Sequence, residues 1–290
     1  MPTYQGDDGA ELYYDVLGES SAPPLMVLAG GAGRHPDYLG DLAGLSEHYQ
    51  LLVPHLRGVG RSATADVAVM GSRWRQAEDL ERLRTTLDLQ QCAVVGHSAG
   101  TRLAIAYAAR FADRLSTLLL ITPPAWYLVD VPDDTEALAA GRMADPAFAA
   151  AVAAQEAGPD TSSDETFAEW MRATAPVGYA TWGDAAQRDA AVGGYWLAAN
   201  RAFLSGDIPA DLASRLREVT APTLLVAGAQ DAIAGVDAVV ALAELFPHGR
   251  AAVIQDCGHF PWFEQPAAFR DLVDPFLHQS DSTAAAAPPD

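Results

Sequence analysis

Ser98, Asp231 and His259 are the residues whose types and order point most directly to chemistry. Ser98 stands in Gly96-His97-Ser98-Ala99-Gly100, a G-x-S-x-G motif. A serine hydroxyl is a poor nucleophile at neutral pH. It needs a base within hydrogen-bond reach, and the base needs a third group that fixes its tautomer and stabilises its charged form. His259, beside Gly258, is expected to be the base, and Asp231 the orienting acid. Asp256, three positions before His259, is the rival acid. The oxyanion formed on attack needs two fixed donors. The N–H of Ala99 is one candidate, and the backbone of Gly31, with Ala32 next in line, is the other.

These residues can act together only if the fold gathers them. The apolar run Cys92-Ala93-Val94-Val95 reads as a short buried strand entering the motif, and Leu103 to Ala109 reads as a helix leaving it. Strand, G-x-S-x-G, helix is the context that lifts the serine above a sheet edge on a sharp turn. Such a turn is strained and needs small neighbours, which Gly96 and Gly100 supply. The helix that follows aims free N–H groups and a partial positive charge at the reacting centre.

The rest of the chain alternates in the same way. Tyr4 to Leu17 reads as a hairpin turning at Asp8-Gly9, and Leu25 to Ala29 as a central strand ending in Gly30-Gly31-Ala32-Gly33. This glycine cluster lacks the lysine of a phosphate loop and the spacing of a dinucleotide fingerprint, so it reads as a loop whose backbone approaches a ligand. Helices are expected over Asp37–His48, Gly71–Leu89, Val236–Phe246 and Pro266–His278, and strands over Tyr49–Pro54, Leu115–Thr122, Thr223–Ala227 and Arg250–Gln255. Alternating strands and helices imply an α/β fold with a mostly parallel sheet, and ligands of such sheets collect at the strands' carboxyl ends. Ser98, Asp231, His259 and the Gly30–Gly33 loop all fall at such ends.

Between about 125 and 215 the pattern changes to short helices interrupted by proline and glycine, with no strands. We read residues 1–124 and 216–279 as two parts of one core, 125–215 as an inserted helical cap, and 280–290 as a disordered tail. Trp126, Trp170, Trp182 and Trp196 fall in or at the edge of the cap. Candidate substrate contacts are Ala32, His35, His97, Trp126, Trp182, Trp196 and Phe260. His97 adjoins the serine, but in such a turn its side chain points elsewhere and can hydrogen-bond beneath it.

Composition sets the outer limits. The 290 residues carry 38 acidic and 18 basic side chains, a formal charge of −20, which argues against nucleic acid or an anionic membrane surface as a partner. The two cysteines, Cys92 and Cys257, make no disulfide framework, and no metal-ligand spacing is present. No signal peptide or membrane-length apolar run is evident, so a soluble cytoplasmic protein is expected. The sequence leaves the oligomeric state open.

Over nearly its whole length the chain resembles the α/β-hydrolase superfamily. AGGAG at Ala29–Gly33, LRGVGRS at Leu56–Ser62, GHSAG, GAQD and CGHFPWFEQP resemble the proline-iminopeptidase-like branch. The resemblance implies a Ser98–His259–Asp231 triad acting on a small molecule, oxyanion donors at Gly31 and Ala99, a helical cap and no cofactor. The chain departs from that branch in four ways. Ala29-Gly30-Gly31-Ala32-Gly33 replaces His-Gly-Gly-Pro-Gly, His55 stands where an aspartate usually precedes the arginine-glycine motif, Ala99 replaces a tryptophan, and Gly194 falls where a cap glutamate would hold a substrate's free amine. Hydrolysis of a small apolar or aromatic ester, lactone or thioester is therefore the leading expectation. Amide cleavage, acyl transfer or cyclisation, and non-catalytic binding of a small molecule are the alternatives.

Overall fold

Four apolar runs of the sequence lie side by side at the centre of one sheet. Residues 2–64, 66–206 and 208–284 are described by the structure, a computed structural model. The strands are β1 (Thr3–Gln5), β2 (Glu11–Leu17), β3 (Pro24–Leu28), β4 (Gln50–Pro54), β5 (Cys92–His97), β6 (Leu115–Ile121), β7 (Thr223–Gly228) and β8 (Gly249–Ile254). They form one eight-stranded sheet in the order β1-β2-β4-β3-β5-β6-β7-β8. The pairs β1–β2 and β2–β4 are antiparallel and the remaining pairs parallel. This is the α/β class expected from the alternation of strands and helices.

The central strands read as continuous apolar runs because both of their faces are covered. Their side chains still alternate. Met26, Leu28, Val94, Leu118, Leu120 and Leu225 join one core layer. Leu25, Val27, Val95, Leu119, Ile121 and Val226 join the other. The first layer packs against α2 (Arg73–Thr86) and α3 (Ala99–Arg110), the second against α12 (Pro266–Ala284) through Phe269, Val273 and Phe276. Helix α2 follows the short α1 (Val67–Met70), is capped by the Ser72 hydroxyl, and buries Ala77, Leu80 and Leu83 on the face that the 3.6-residue spacing picks out. The edge strand β8 is largely exposed at Arg250 and Ala251, as an edge must be.

Between β6 and β7 run α4 (Thr135–Ala140), α5 (Pro146–Ala157), α6 (Asp164–Thr174), α7 (Asp184–Ala190), α8 (Leu197–Leu204) and α9 (Leu212–Leu216). Their breaks coincide with punctuation in the sequence: Gly141 ends α4, Pro146 opens α5 behind the Asp145 cap, and Gly158 ends it. The core helices resume with α10 (Asp237–Ala243) and the single turn α11 (Pro261–Glu264).

Two expectations fail. The helix expected over Asp37–His48 is instead a pair of 3₁₀ turns, Pro36–Leu39 and Leu45–Glu47. Gly40, Leu42, Ala43 and Gly44 between them all have positive φ. Burial of Leu39, Leu42 and Leu45 at 0–1% exposure decides the path there, against local helix propensity. The last helix continues to Ala284, past the His278 end and into the segment expected to be a disordered tail. Residues 285–290 of that expectation lie outside the described residues.

Candidate active site

The parallel register brings the ends of β3, β5, β7 and β8 to one edge of the sheet. The Ser98 N–H donates to the Ile121 carbonyl at the end of β6 (2.9 Å), and Ser98 then leaves the strand at φ 50° and ψ −123°. This is the strained turn that the motif implies. Its glycines are set by close approach. A Cβ on Gly100 would lie 2.4 Å from the Leu28 carbonyl oxygen, and one on Gly96 would lie 2.9 Å from the backbone of Thr101. Helix α3 can therefore start directly over β3 only without side chains at these two points.

His259 lies in the loop after β8, next to Ser98. Its Nε2 accepts from the Ser98 hydroxyl at 2.7 Å, and its Nδ1–H donates to Asp231 Oδ2 at 2.8 Å. The tautomer follows from the carboxylate, which can only accept. The other oxygen of Asp231 accepts the N–H groups of Ile233 (2.9 Å) and Ala234 (3.1 Å), so this fully buried carboxylate is satisfied by three donors. Asp256, the rival acid, makes no contact with His259 among the described residues; its carbonyl accepts from Gln265.

A second buried histidine supports this arrangement from below. The Gly30 N–H donates to the Tyr38 hydroxyl (2.6 Å), Tyr38 donates to His97 Nδ1 (2.8 Å), and His97 Nε2–H donates to the His259 carbonyl (3.0 Å). Each group in the relay has one role, which fixes His97 as the neutral Nε2–H tautomer. Burial, and then the neighbouring His259, push its pKa well below the usual value. The relay joins the glycine loop after β3, the serine strand and the histidine loop. His97 thus hydrogen-bonds beneath the turn, while its ring still contributes to the cavity lining.

Glu264 is a positioning group that the sequence did not single out. Its carboxylate accepts the N–H groups of Gly258 (3.0 Å), Phe260 (3.3 Å) and Ala180 (2.6 Å), clamping the histidine loop to the segment after α6. Burial raises its pKa against the pull of these donors. Thr122, itself at φ 46°, adds a hydroxyl bond to the His259 carbonyl at 3.1 Å.

Ser98 opens into two lobes. The inner one, about 210 Å³, is lined by Tyr38, Tyr179, Tyr195 and Phe260 together with Gly31, Ser98 and His259. The outer one, about 850 Å³ and open to solvent, contains Gly31, Ala32, Ser98 and Ala99 along with Trp126, Phe167 and Arg102. Trp170, Met171 and Ile233 line both and form the waist between them. Gly31 and Ala99 thus both border the space above Ser98. Ala99 is the first residue of α3, so its N–H has no partner within the helix.

Of the expected substrate contacts, Ala32, His97, Trp126 and Phe260 line a lobe. His35, Trp182 and Trp196 do not, and their assignment is corrected. His35 is partly buried against His55 and Trp196, and its backbone N–H donates to Gly194. Trp182 packs on Tyr179, and Trp196 joins a small core with Val59 and Met70. The residues that do face the lobes came with a legible signal. Phe167, Trp170, Met171 and Thr174 stand at i, i+3, i+4 and i+7 of α6, one face of a helix laid over the site. Asp184 and Asp189, considered as amine-binding acids, line neither lobe; Asp189 accepts from the Tyr179 hydroxyl at 2.6 Å.

No group of three or more His, Cys, Asp or Glu side chains among the described residues could hold a metal ion, and no described helix is long and apolar enough to cross a membrane.

Comparison with known proteins agrees with this geometry. The family model for the alpha/beta hydrolase fold matches residues 23–266, and the chain belongs to that family. A proline iminopeptidase of Xylella fastidiosa is 30% identical over 114 residues, 39% of this chain and 36% of that protein. The matched stretch therefore spans only about a third of this relative. Among solved structures, an aryl esterase described as putative from Burkholderia cenocepacia superposes with a TM-score of 0.72 at 22% identity, covering 97% of this chain and 99% of the other. An esterase from Thermogutta terrifontis superposes with a TM-score of 0.70 at 22% identity, covering 96% and 98%. At these identities the likeness is one of fold.

Proposed function

We propose that this chain is a serine hydrolase that cleaves a small, largely apolar or aromatic ester, lactone or thioester through an acyl-enzyme. The observation that carries the reading is the hydrogen-bonded sequence Ser98–His259–Asp231 at the floor of a two-lobed cavity. Ser98 Oγ attacks the substrate carbonyl while His259 Nε2 takes its proton. The ionised Asp231 holds the imidazole in register and stabilises the imidazolium. The N–H groups of Ala99 and Gly31 receive the oxyanion, each donor being worth about 10²–10³ in rate. His259 then protonates the leaving group, activates a water, and the acid is released. Helices α4–α9, between about 125 and 215, act as the cap that roofs both lobes.

The proline-iminopeptidase name of the relatives favours amide cleavage as the second reading. Against it, no described acidic residue lines either lobe, so nothing there matches a substrate's free ammonium. Incubation with a fluorophosphonate followed by peptide mass spectrometry tests the reading. A single adduct on Ser98, absent in Ser98→Ala, is expected. Failure of the folded protein to label would sink it in favour of a binding protein.

A further inference from the structure

The outer lobe carries an unusual pair of cations. Arg73, at the start of α2, and Arg102, in the first turn and a half of α3, both line it within the same cavity as Ser98 and Ala99. They also share a small crevice with Trp74, Tyr127 and Leu212 directly beneath. Neither has a carboxylate within ion-pair distance among the described residues, although the chain has 38 acidic side chains. Arg73 offers one guanidinium nitrogen to the Phe203 and Leu204 carbonyls at 3.4 Å each. Among the described residues Arg102 is held by rings, 4.8 Å from the centroid of Tyr127 and 5.2 Å from that of Trp126, and its buried Nε has no hydrogen-bond partner there.

Two like charges brought together without an anion raise the free energy of the folded state. Burial, with Arg73 adding to it, pulls the Arg102 pKa down from its usual value. The other arginine in the site is different. Arg34, in the inner lobe, lies 4.0 Å over the Tyr38 ring and donates to the carbonyls of Asp189, Ala190 and Val192 at the end of α7. Its charge is already answered by a helix C-terminus. Arg73 reaches the last two carbonyls of α8 only at 3.4 Å, and among the described residues Arg102 has no carboxylate or carbonyl partner at all.

We infer that Arg73 and Arg102 form an anion subsite in the outer lobe, and that the substrate carries a carboxylate or phosphate some distance from the bond that Ser98 attacks. The inference rests on the hydrolase reading for its reacting bond and goes beyond it in naming the substrate's charge. A guanidinium pair can grip a carboxylate through charge-assisted hydrogen bonds, with Trp126 and Tyr127 walling the site. The acidic exterior disfavours anions elsewhere on this molecule, so discrimination would come from short-range contact here.

The test uses two matched ester pairs: 4-acetoxybenzoate against its methyl ester, with the anion on the leaving group, and monophenyl glutarate against its methyl ester, with the anion on the acyl group. Binding is measured calorimetrically to Ser98→Ala and turnover with the wild-type enzyme. In at least one pair the anion should be favoured roughly tenfold or more. The favoured pair identifies which end of the substrate enters the outer lobe. Arg73→Gln and Arg102→Gln should each bring the anion-to-neutral ratio close to one. Arg102→Lys should keep part of the preference, and added salt should erode it. The ratio is internal to each protein sample, so partial misfolding does not mimic the effect. Equal treatment of anion and neutral ester in both pairs, or a preference that survives both glutamine substitutions, overturns the inference. Binding preference without turnover of any of the four esters would overturn the hydrolase reading and leave the subsite standing.

Discussion

Two sets of arginines near α2 have opposite surroundings. Arg57, 3% exposed, is enclosed by carboxylates: Asp79 at 2.6 Å, Asp7 at 2.9 Å and Asp8 at 2.9 Å, with Arg75 sharing the last two. Among the described residues, Arg73 and Arg102 meet only rings and carbonyls. The first set ties the β1–β2 hairpin to α2 and faces no lobe of the site. The second set faces the cavity. A cation is buried at a cost that Coulomb attraction and hydrogen bonds must offset. Where the fold supplies the anions, the cluster is structural. Where it does not, the arrangement leaves room for an anion from outside.

The same division separates the floor of the site from its roof. Below Ser98 the hydrogen-bonding groups of Asp231, His97, Tyr38 and the His259 carbonyl all find partners within the fold. Above it, α6 borders the lobes with Phe167, Trp170 and Met171, apolar groups packed on one another and on Tyr195. Changes in the floor should therefore alter all substrates alike, and changes in the roof should alter the ranking among them.

The sharpest test of that contrast is Asp231→Asn, which leaves packing intact but removes the acceptor that sets the His259 tautomer. Turnover should fall by about 10⁴ for every ester tried. Activity near wild type would hand the orienting role to another acid. Next in size is Arg57→Met, which strands the buried Asp79 and leaves Asp7 and Asp8 to Arg75 alone. It should cost about 3–5 kcal/mol of folding stability, read as a lowered urea midpoint. The same substitution at Arg102 should not destabilise the fold to that degree, and equal losses would erase the distinction between the two sets. A roof change, Trp170→Ala, should move the preferred acyl-chain length of p-nitrophenyl esters and leave the pH profile in place. An unchanged chain-length ranking would remove α6 from substrate selection. The smallest effect is expected from Gly194→Glu, which should not by itself produce efficient cleavage of proline p-nitroanilide. If it did, the argument against the aminopeptidase reading would reduce to that one position.

Much of the floor was legible in the chain because it depends on strand ends and turns. Ser98, Asp231 and His259 were recognisable from residue type, the flanking apolar runs and the glycines that a close approach demands. His97 was expected to hydrogen-bond beneath the turn, though its partners Tyr38 and the His259 carbonyl lie 59 and 162 positions away. Glu264 was hidden for a different reason. A glutamate at the end of a single helical turn is ordinarily solvated, and nothing local reveals that three N–H groups will converge on it. The tryptophans are ambiguous for a third reason. Residue type and a place in the cap do not separate Trp182 and Trp196, which pack on Tyr179 and in a small core, from Trp170, which shares one face of α6 with Phe167, Met171 and Thr174.

What the sequence determined by itself, then, is the alternation of strands and helices, the nucleophilic turn and the order of its partners, because periodicity and turn stereochemistry act over a few residues. Tertiary structure alone decided which aromatic rings face Ser98, which buried arginines meet a carboxylate and which do not, and why Asp37–His48 abandons its helix. Those outcomes depend on packing between segments far apart in the chain, where burial and charge compensation outweigh every local preference.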